Sequence, residues 1–300
     1  MFQTLIPKKS QPWKICLVGE TNKVTSMKNM FSNCFELKTL DLSNFDTSNV
    51  SDFYNMFLSD KSFAELDLSN FTIKNGAVVS GMLTLNSASK LSKLKTPTSA
   101  NAITMSIVVG NPLVNEDTDE LMTTVAEDTK FSGSFTLSNT SKTYISAIMM
   151  SSQSGWLNEL SAINTTKFGT GGWNTQVKIK TICFESKIPS GYTYHDGDLP
   201  NGVQVWTKGQ DDTNISFVHS RKIYAPVNAF CMFQNVQATT ITFNNFDTRF
   251  TTNMQQFFNN CGKLESVDLS KFNTEIVSNF NSMFKLCKSL KELDLSSFTI

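Results

Sequence analysis

The chain is predicted to fold as an α/β repeat solenoid of the leucine-rich-repeat type, interrupted by an α+β, β-rich insert. Three observations predict this. A 26-residue unit occurs twice near the start, as VTSMKNMFSNCFELKTLDLSNFDTSN from Val24 and VSDFYNMFLSDKSFAELDLSNFTIKN from Val50. The unit returns as TTNMQQFFNNCGKLESVDLSKFNTEI from Thr251 and VSNFNSMFKLCKSLKELDLSSFTI from Val277. Matching residues keep equal gaps in every copy, the signature of supersecondary units stacked so that each buries the apolar face of its neighbour.

Each unit divides into two halves by period. In the first, Val24, Met27, Met30, Phe31 and Cys34 fall at helical spacing, with Thr25 and Ser26 as N-caps, so a short helix is expected. In the second, Leu37, Leu40 and Leu42 form an LxxLxL string, a short strand with Leu40 and Leu42 inward and Thr39, Asp41 and Ser43 outward; Phe45 then turns back to the core. Stacked strands give a parallel sheet on one face and stacked helices the other.

The pattern MxxMFxxCxxLxxLDLSxFxT resembles the repeat of BspA-like leucine-rich-repeat surface proteins, the mycoplasma-type surface-protein repeat. The resemblance covers Val24 to Ile73 and Thr251 to Ile300, and Ala77 to Pro97 looks like the family's closing unit, with Met82, Leu83, Leu91 and Leu94 before KLKTP. The run from Val177 through GVQVW and ISFVHSRKIYAP is similar to the β-rich segment that leads into such arrays. The resemblance implies an extracellular or surface-displayed protein that adheres to a host or neighbouring-cell protein or glycan, and not an enzyme.

Four segments follow: 1–97, a first repeat block with its closing unit; 98–176, an irregular α+β insert and linker; 177–227, the β-rich segment; and 228–300, a second, apparently uncapped block. Within the insert, Asn115 to Thr129 has helix-like spacing at Leu121, Met122 and Val125, and Phe131 to Leu137 and Tyr144 to Met149 read as strands. Asn164 to Gln176 reads as a loop. After Pro226, NAFCMFQNVQATTITFNNFDT reads as an irregular leading repeat, with Ile241, Phe243 and Phe246 in strand and turn positions.

Lysine plus arginine equal aspartate plus glutamate at 26 each, so net charge gives no reason to bind nucleic acid or anionic membrane. Charged residues are only 17%. The first 18 residues lack the apolar core of a secretory signal, and no apolar run is long enough for a membrane span. The last unit, LDLSSFTI, has no closing unit after it, which predicts either part of a longer array or self-association through that unit.

Cys34, Cys261 and Cys287 share one place in the repeat, which Asp60 takes in a fourth copy. Helices on neighbouring units would stand about 8–10 Å apart, beyond disulfide reach, so reduced, buried thiols are expected. Cys16, Cys183 and Cys231 lack zinc-site spacing. His195 and His219 are the only histidines. His195 lies in YHDGD, where Asp196 and Asp198 orient it or hold a cation, or where all three form a solvated turn. GTGG at 169–172 lacks the Lys-Ser/Thr of a phosphate loop. No catalytic residue, metal site or cofactor is assigned.

The candidate ligand face is the set of outward strand positions: Thr39, Asp41, Ser43; Glu65, Asp67, Ser69; Ser266, Asp268, Ser270; Glu292, Asp294, Ser296. Aspartates one strand spacing apart repel, so serines, lysines and backbone N–H groups must offset them, or a cation, basic or sugar-like ligand does. The alternative site is Tyr192, Tyr194 and Trp206 in the β-rich segment, as a carbohydrate-binding surface or a weakly hydrolytic one, with the repeats as scaffold.

Overall fold

The computed structural model describes residues 21–125, 131–151, 155–168 and 178–299. The chain divides into two units, Met1–Ala147 and Ile148–Ile300. The expected strand half forms in only two of the four copies, those from Val50 and Thr251, and the copies from Val24 and Val277 carry no strand there; the helical faces are absent from all four. Among the described residues the only helices are α1 (Gly155–Ile163) and α2 (Thr165–Phe168), both outside the repeats, and the architecture is four sheets, not an α/β solenoid.

What replaces the helices is a run of overlapping turns. In the Val24 copy, Met30, Ser32 and Cys34 donate their N–H groups to the carbonyls of Met27, Asn29 and Phe31, three residues back. Asn29 and Asn33 then take left-handed backbone with φ of 55° and 61°, which stops the chain from winding into a helix. The intervening N–H groups point sideways: Met27, Asn29, Phe31 and Asn33 donate to the carbonyls of Asp52, Tyr54, Met56 and Leu58 in the next copy. Phe53, Asn55, Phe57 and Ser59 pass the ladder on to Val78, Ser80, Met82 and Thr84. Asn55 and Ser59 repeat the left-handed pair, and Gly81 continues the first column with φ 68°.

The same arrangement recurs in the second unit. Ala229, Cys231, Phe233 and Asn235 donate to Asn253, Gln255, Phe257 and Asn259; Met254, Gln256, Phe258 and Asn260 donate to Asn279, Asn281, Met283 and Lys285. The irregular leading repeat is therefore one more rung. Apolar side chains meet along the columns: Phe31 stacks on Phe57 at 5.5 Å and Phe258 on Phe284 at 5.4 Å. Burial of Phe31, Phe57 and Phe258, with Met27, Phe53 and Met56, is the main favourable term.

In the first unit, β1 (Glu65–Asp67), β3 (Lys93–Lys95), β8 (Thr143–Ser146) and β5 (Leu113–Asn115) form one sheet in that order. A second runs β2 (Leu83–Thr84), β4 (Ile103–Val109), β7 (Phe131–Leu137) and β6 (Thr124–Val125). The strand expected at Phe131–Leu137 is β7. The helix expected over 115–129 is not formed in its described part: Asn115 ends β5, a turn follows in which its side chain accepts from the N–H groups of Asp117 and Thr118, and Thr124–Val125 is strand. Residues 126–129 lie outside the described set.

In the second unit a three-stranded sheet joins β16 (Phe246–Asp247), β14 (Ile223–Tyr224) and β9 (Ile148–Met149). The strand expected from Tyr144 to Met149 is therefore two, β8 and β9. The largest sheet has six strands in the order β11 (Tyr194–Asp198), β12 (Gln204–Thr207), β13 (Asn214–Val218), β10 (Thr181–Glu185), β15 (Thr240–Thr242) and β17 (Ser266–Val267). Its inner face centres on Phe184, whose ring lies 5.0 Å from Phe217 and 4.5 Å from Phe246. Helix α1 seals this core with Trp156, fully buried, its indole N–H donating to the Met232 carbonyl at 2.8 Å. Residues 164–168, expected as loop, continue from α1 into α2; 169–176, including GTGG, lie outside the described residues.

The left-handed columns make a direct prediction. Asn55→Val puts a β-branched side chain at φ 53° and should lower stability by about 1–2 kcal/mol, whereas Asn55→Gly should cost much less; urea midpoints of the two variants check this.

Candidate functional site

The outward strand positions remain outward, and each aspartate is tied to its own turn. Asp41 and Asp67 accept from both the N–H and hydroxyl of the serine two residues on, Ser43 and Ser69. Asp268 and Asp294 accept from the N–H groups of Ser270 and Ser296. These bonds favour the ionised carboxylate and hold Asp268 and Asp294 below the usual range. Asp67 also lies low, its burial being outweighed by Lys95, at 2.7 Å, and by Ser69. The recurring Asp-x-Ser thus closes the same bend in each copy. Thr39, Glu65, Ser266 and Glu292 alternate with these along the exposed face.

The alternative site is split by strand alternation. Pairing of Trp206 with Ser216, and of Ser216 with Cys183, puts these three on the outer face of the six-stranded sheet. Tyr192 joins them, its hydroxyl 3.4 Å from the Cys183 sulfur, and burial raises its pKa. His195, opposite Trp206 in register, stacks on the indole at 4.8 Å and meets Asp198 at 2.8 Å. Tyr194 points the other way, its ring 5.2 Å from the Lys167 ammonium. The outer face therefore carries an aromatic pair, His195 and Trp206, beside Tyr192, with Lys208 over the Tyr192 ring at 5.8 Å.

YHDGD holds no cation-binding triad. His195 and Asp198 pair outside, while Asp196 turns inward to Lys167 at 2.8 Å. Lys167, in a stretch read as loop, carried no recognisable signal. His219 is held below its usual pKa by burial, against the raising effect of the Arg221 backbone carbonyl 3.4 Å from its Nδ1. Among the described residues no group of histidine, cysteine and acidic side chains could hold a metal ion.

Residues 18–116 and 227–300 match the family described as Mycoplasma protein of unknown function, DUF285. The chain belongs to the DUF285 family. The DUF285 match includes every repeat copy and leaves out 117–226, so the β-rich segment around His195 and Trp206 is not part of it. No curated protein and no solved structure matches the chain.

The five described cysteines are free; Cys16 lies outside the described residues. Helix spacing, the reason given for excluding disulfides, does not apply, because no helices carry them. The thiols instead bond to the preceding rung: Cys261 to the Phe233 carbonyl at 3.1 Å and Cys287 to that of Phe258 at 3.2 Å. Burial raises the pKa of both, and pushes Cys231 up to about 11.

Asp60, in that same place, is fully buried. One oxygen accepts the Cys34 N–H at 2.6 Å and the other has no partner. Burial pushes its pKa up to about 7, against the lowering effect of that N–H. Between pH 3.8 and about 7 the folded chain keeps a proton that the unfolded chain has released, so stability falls as pH rises through that window and is level above it. The shift corresponds to about 4 kcal/mol at most. Asp60→Cys, restoring the repeat's own residue, should raise the melting temperature at pH 8 and remove this slope; a wild-type curve flat between pH 5 and 7 would contradict the assignment.

Proposed function

We propose that this DUF285 protein is a surface-displayed binding protein, without a metabolic reaction of its own, that takes a glycan on the outer aromatic face of its six-stranded sheet. One observation carries the reading: Trp206 and His195 stack as a partly exposed platform, with Tyr192 on the same face and the polar groups of Gln204 and Asp198 at its rim. Aromatic faces bind the apolar face of a sugar ring, and adjacent carboxylate and amide groups orient its hydroxyls. The repeats then serve as scaffold, since their aspartates are engaged in turn closure and, at Asp67, in an ion pair with Lys95.

Surface display is supported by the repeat's resemblance to mycoplasma-type surface proteins. No helix of the described residues is long and apolar enough to cross a membrane. The acidic repeat face is the competing surface, and a partner protein its natural ligand.

Binding of the purified chain to an array of glycans and extracellular-matrix proteins separates the two. The expected result is a glycan signal weakened at least tenfold, about 1.4 kcal/mol, by Trp206→Ala and unchanged by Asp268→Asn with Asp294→Asn. Loss with the aspartate pair alone would move the site to the repeats, and silence from a folded sample would remove the binding reading.

A further inference from the structure

Lys167 and Asp196 form a pair that neither the repeats nor the aromatic face uses. Their side chains are 3% and 1% exposed, and Lys167 Nζ lies 2.8 Å from Asp196 Oδ1. Thr207, fully buried, touches both partners: its hydroxyl is 2.7 Å from Nζ and 2.7 Å from Asp196 Oδ2. The Gly209 carbonyl lies 3.3 Å from Nζ and 3.0 Å from the Thr207 hydroxyl. The Phe168 and Tyr194 rings flank the ammonium at 5.4 and 5.2 Å.

The backbone is shaped to bring Asp196 here. The β11–β12 register slips between His195 and Gly197, a bulge that leaves Asp196 as the extra residue. Gly197, at φ 151°, packs against Ile163 of α1, where a Cβ would stand 3.4 Å from the isoleucine. Two charges held so far from water carry a desolvation cost that their attraction does not always recover.

We propose that Lys167 and Asp196 join spontaneously in an intramolecular amide, cross-linking α2 to β11. Proton transfer from Nζ through the Thr207 hydroxyl to Oδ2 gives a neutral amine and a carboxylic acid protonated on the oxygen that will leave. The Nζ lone pair attacks Asp196 Cγ, forming the Nζ–Cγ bond. Thr207 takes a proton from the nitrogen as it passes its own to Oδ2; the Cγ–Oδ2 bond breaks and Oδ2 leaves as water. The ammonium loses two protons in all, the departing oxygen gains two, and no oxidant or external reactant is needed. Fixed proximity is worth effective molarities on the order of 10⁵–10⁸ M, and the product removes both buried charges.

The test is the intact mass of the denatured chain after folding, with folding followed by near-ultraviolet circular dichroism. The expected wild-type mass is one water below that of the sequence, and digestion yields the Lys167 and Asp196 peptides joined. Asp196–Gly197 can also lose water by cyclising to a succinimide, so the control is Lys167→Arg, which prevents the cross-link and leaves that side reaction intact. Lys167→Arg and Asp196→Ala should show the full mass. Thr207→Val should slow linkage roughly a hundredfold or more, and Thr207→Ser should restore it. A folded wild type at full mass, or a water loss that survives Lys167→Arg without joined peptides, would overturn the proposal and leave the pair as an ion pair.

Discussion

The sideways hydrogen bond is the constraint on which the repeat blocks depend. In the turn half of each unit, every second N–H leaves its own chain segment for the carbonyl of the next copy, as from Phe31 to Met56 and from Phe57 to Met82. The peptide group linking Met56 to Phe57 thus accepts from one neighbour and donates to the other. Four such columns run through each block, all with their N–H groups in one direction, so the peptide dipoles add along the stack instead of cancelling as in an ordinary sheet. Everything else follows from keeping the columns in line: the left-handed residues that turn alternate N–H groups outward, the phenylalanines that meet ring to ring, and the equal gaps between matching residues.

The repeat, its length and its buried positions were legible because they are written in apolar spacing. The backbone that realises them was not. A turn repeating every four residues places Met27 and Phe31, or Phe53 and Phe57, at a separation a helix also uses, so periodicity alone cannot separate the two. The discriminating signal was polar: Asn29, Asn33, Asn55, Asn235 and Asn260 all fall at left-handed positions, where asparagine is favoured and where a helix would accept it only at a loss. In the insert, Phe131–Leu137 was legible as a strand because its apolar residues alternate at one end, whereas Asn115–Val125 was not, because the Asn115 side chain organises a turn that has no period.

The candidate sites divide in the same way. Alternation placed Thr39, Asp41 and Ser43 and their counterparts on the exposed face, but the same alternation separates Tyr194 from Trp206, since only the pairing of Tyr194 with Thr207 fixes which way each points. A bulge cannot be read from YHDGD, and so neither could the inward turn of Asp196. Lys167 reaches that carboxylate from 29 residues away, through a helix too short to leave a pattern. Asp60 was visible as an exception in the cysteine place, yet its unpartnered oxygen follows from what surrounds it, not from its neighbours in the chain.

The step between rungs is not uniform. Ser26, Asp52 and Val78 are paired at 26-residue intervals, as are Asn253 and Asn279, but Asn228 pairs with Asn253 at 25. The rung beginning at Asn228 therefore returns to register with one residue fewer, and the missing residue falls between Asn235, the last residue of the columns, and Thr240, which already pairs with Ser266 at the full interval, in a connection where the backbone is not committed to the ladder. Duplication or loss of a whole copy leaves all four columns matched, and a single-residue change is absorbed only on that side. A one-residue insertion between Phe53 and Phe57 would instead reverse which N–H groups face the neighbour. In this chain copy number and the loops of one flank are thus free of the ladder while the turn half is fixed in length, a rule imposed by hydrogen-bond geometry.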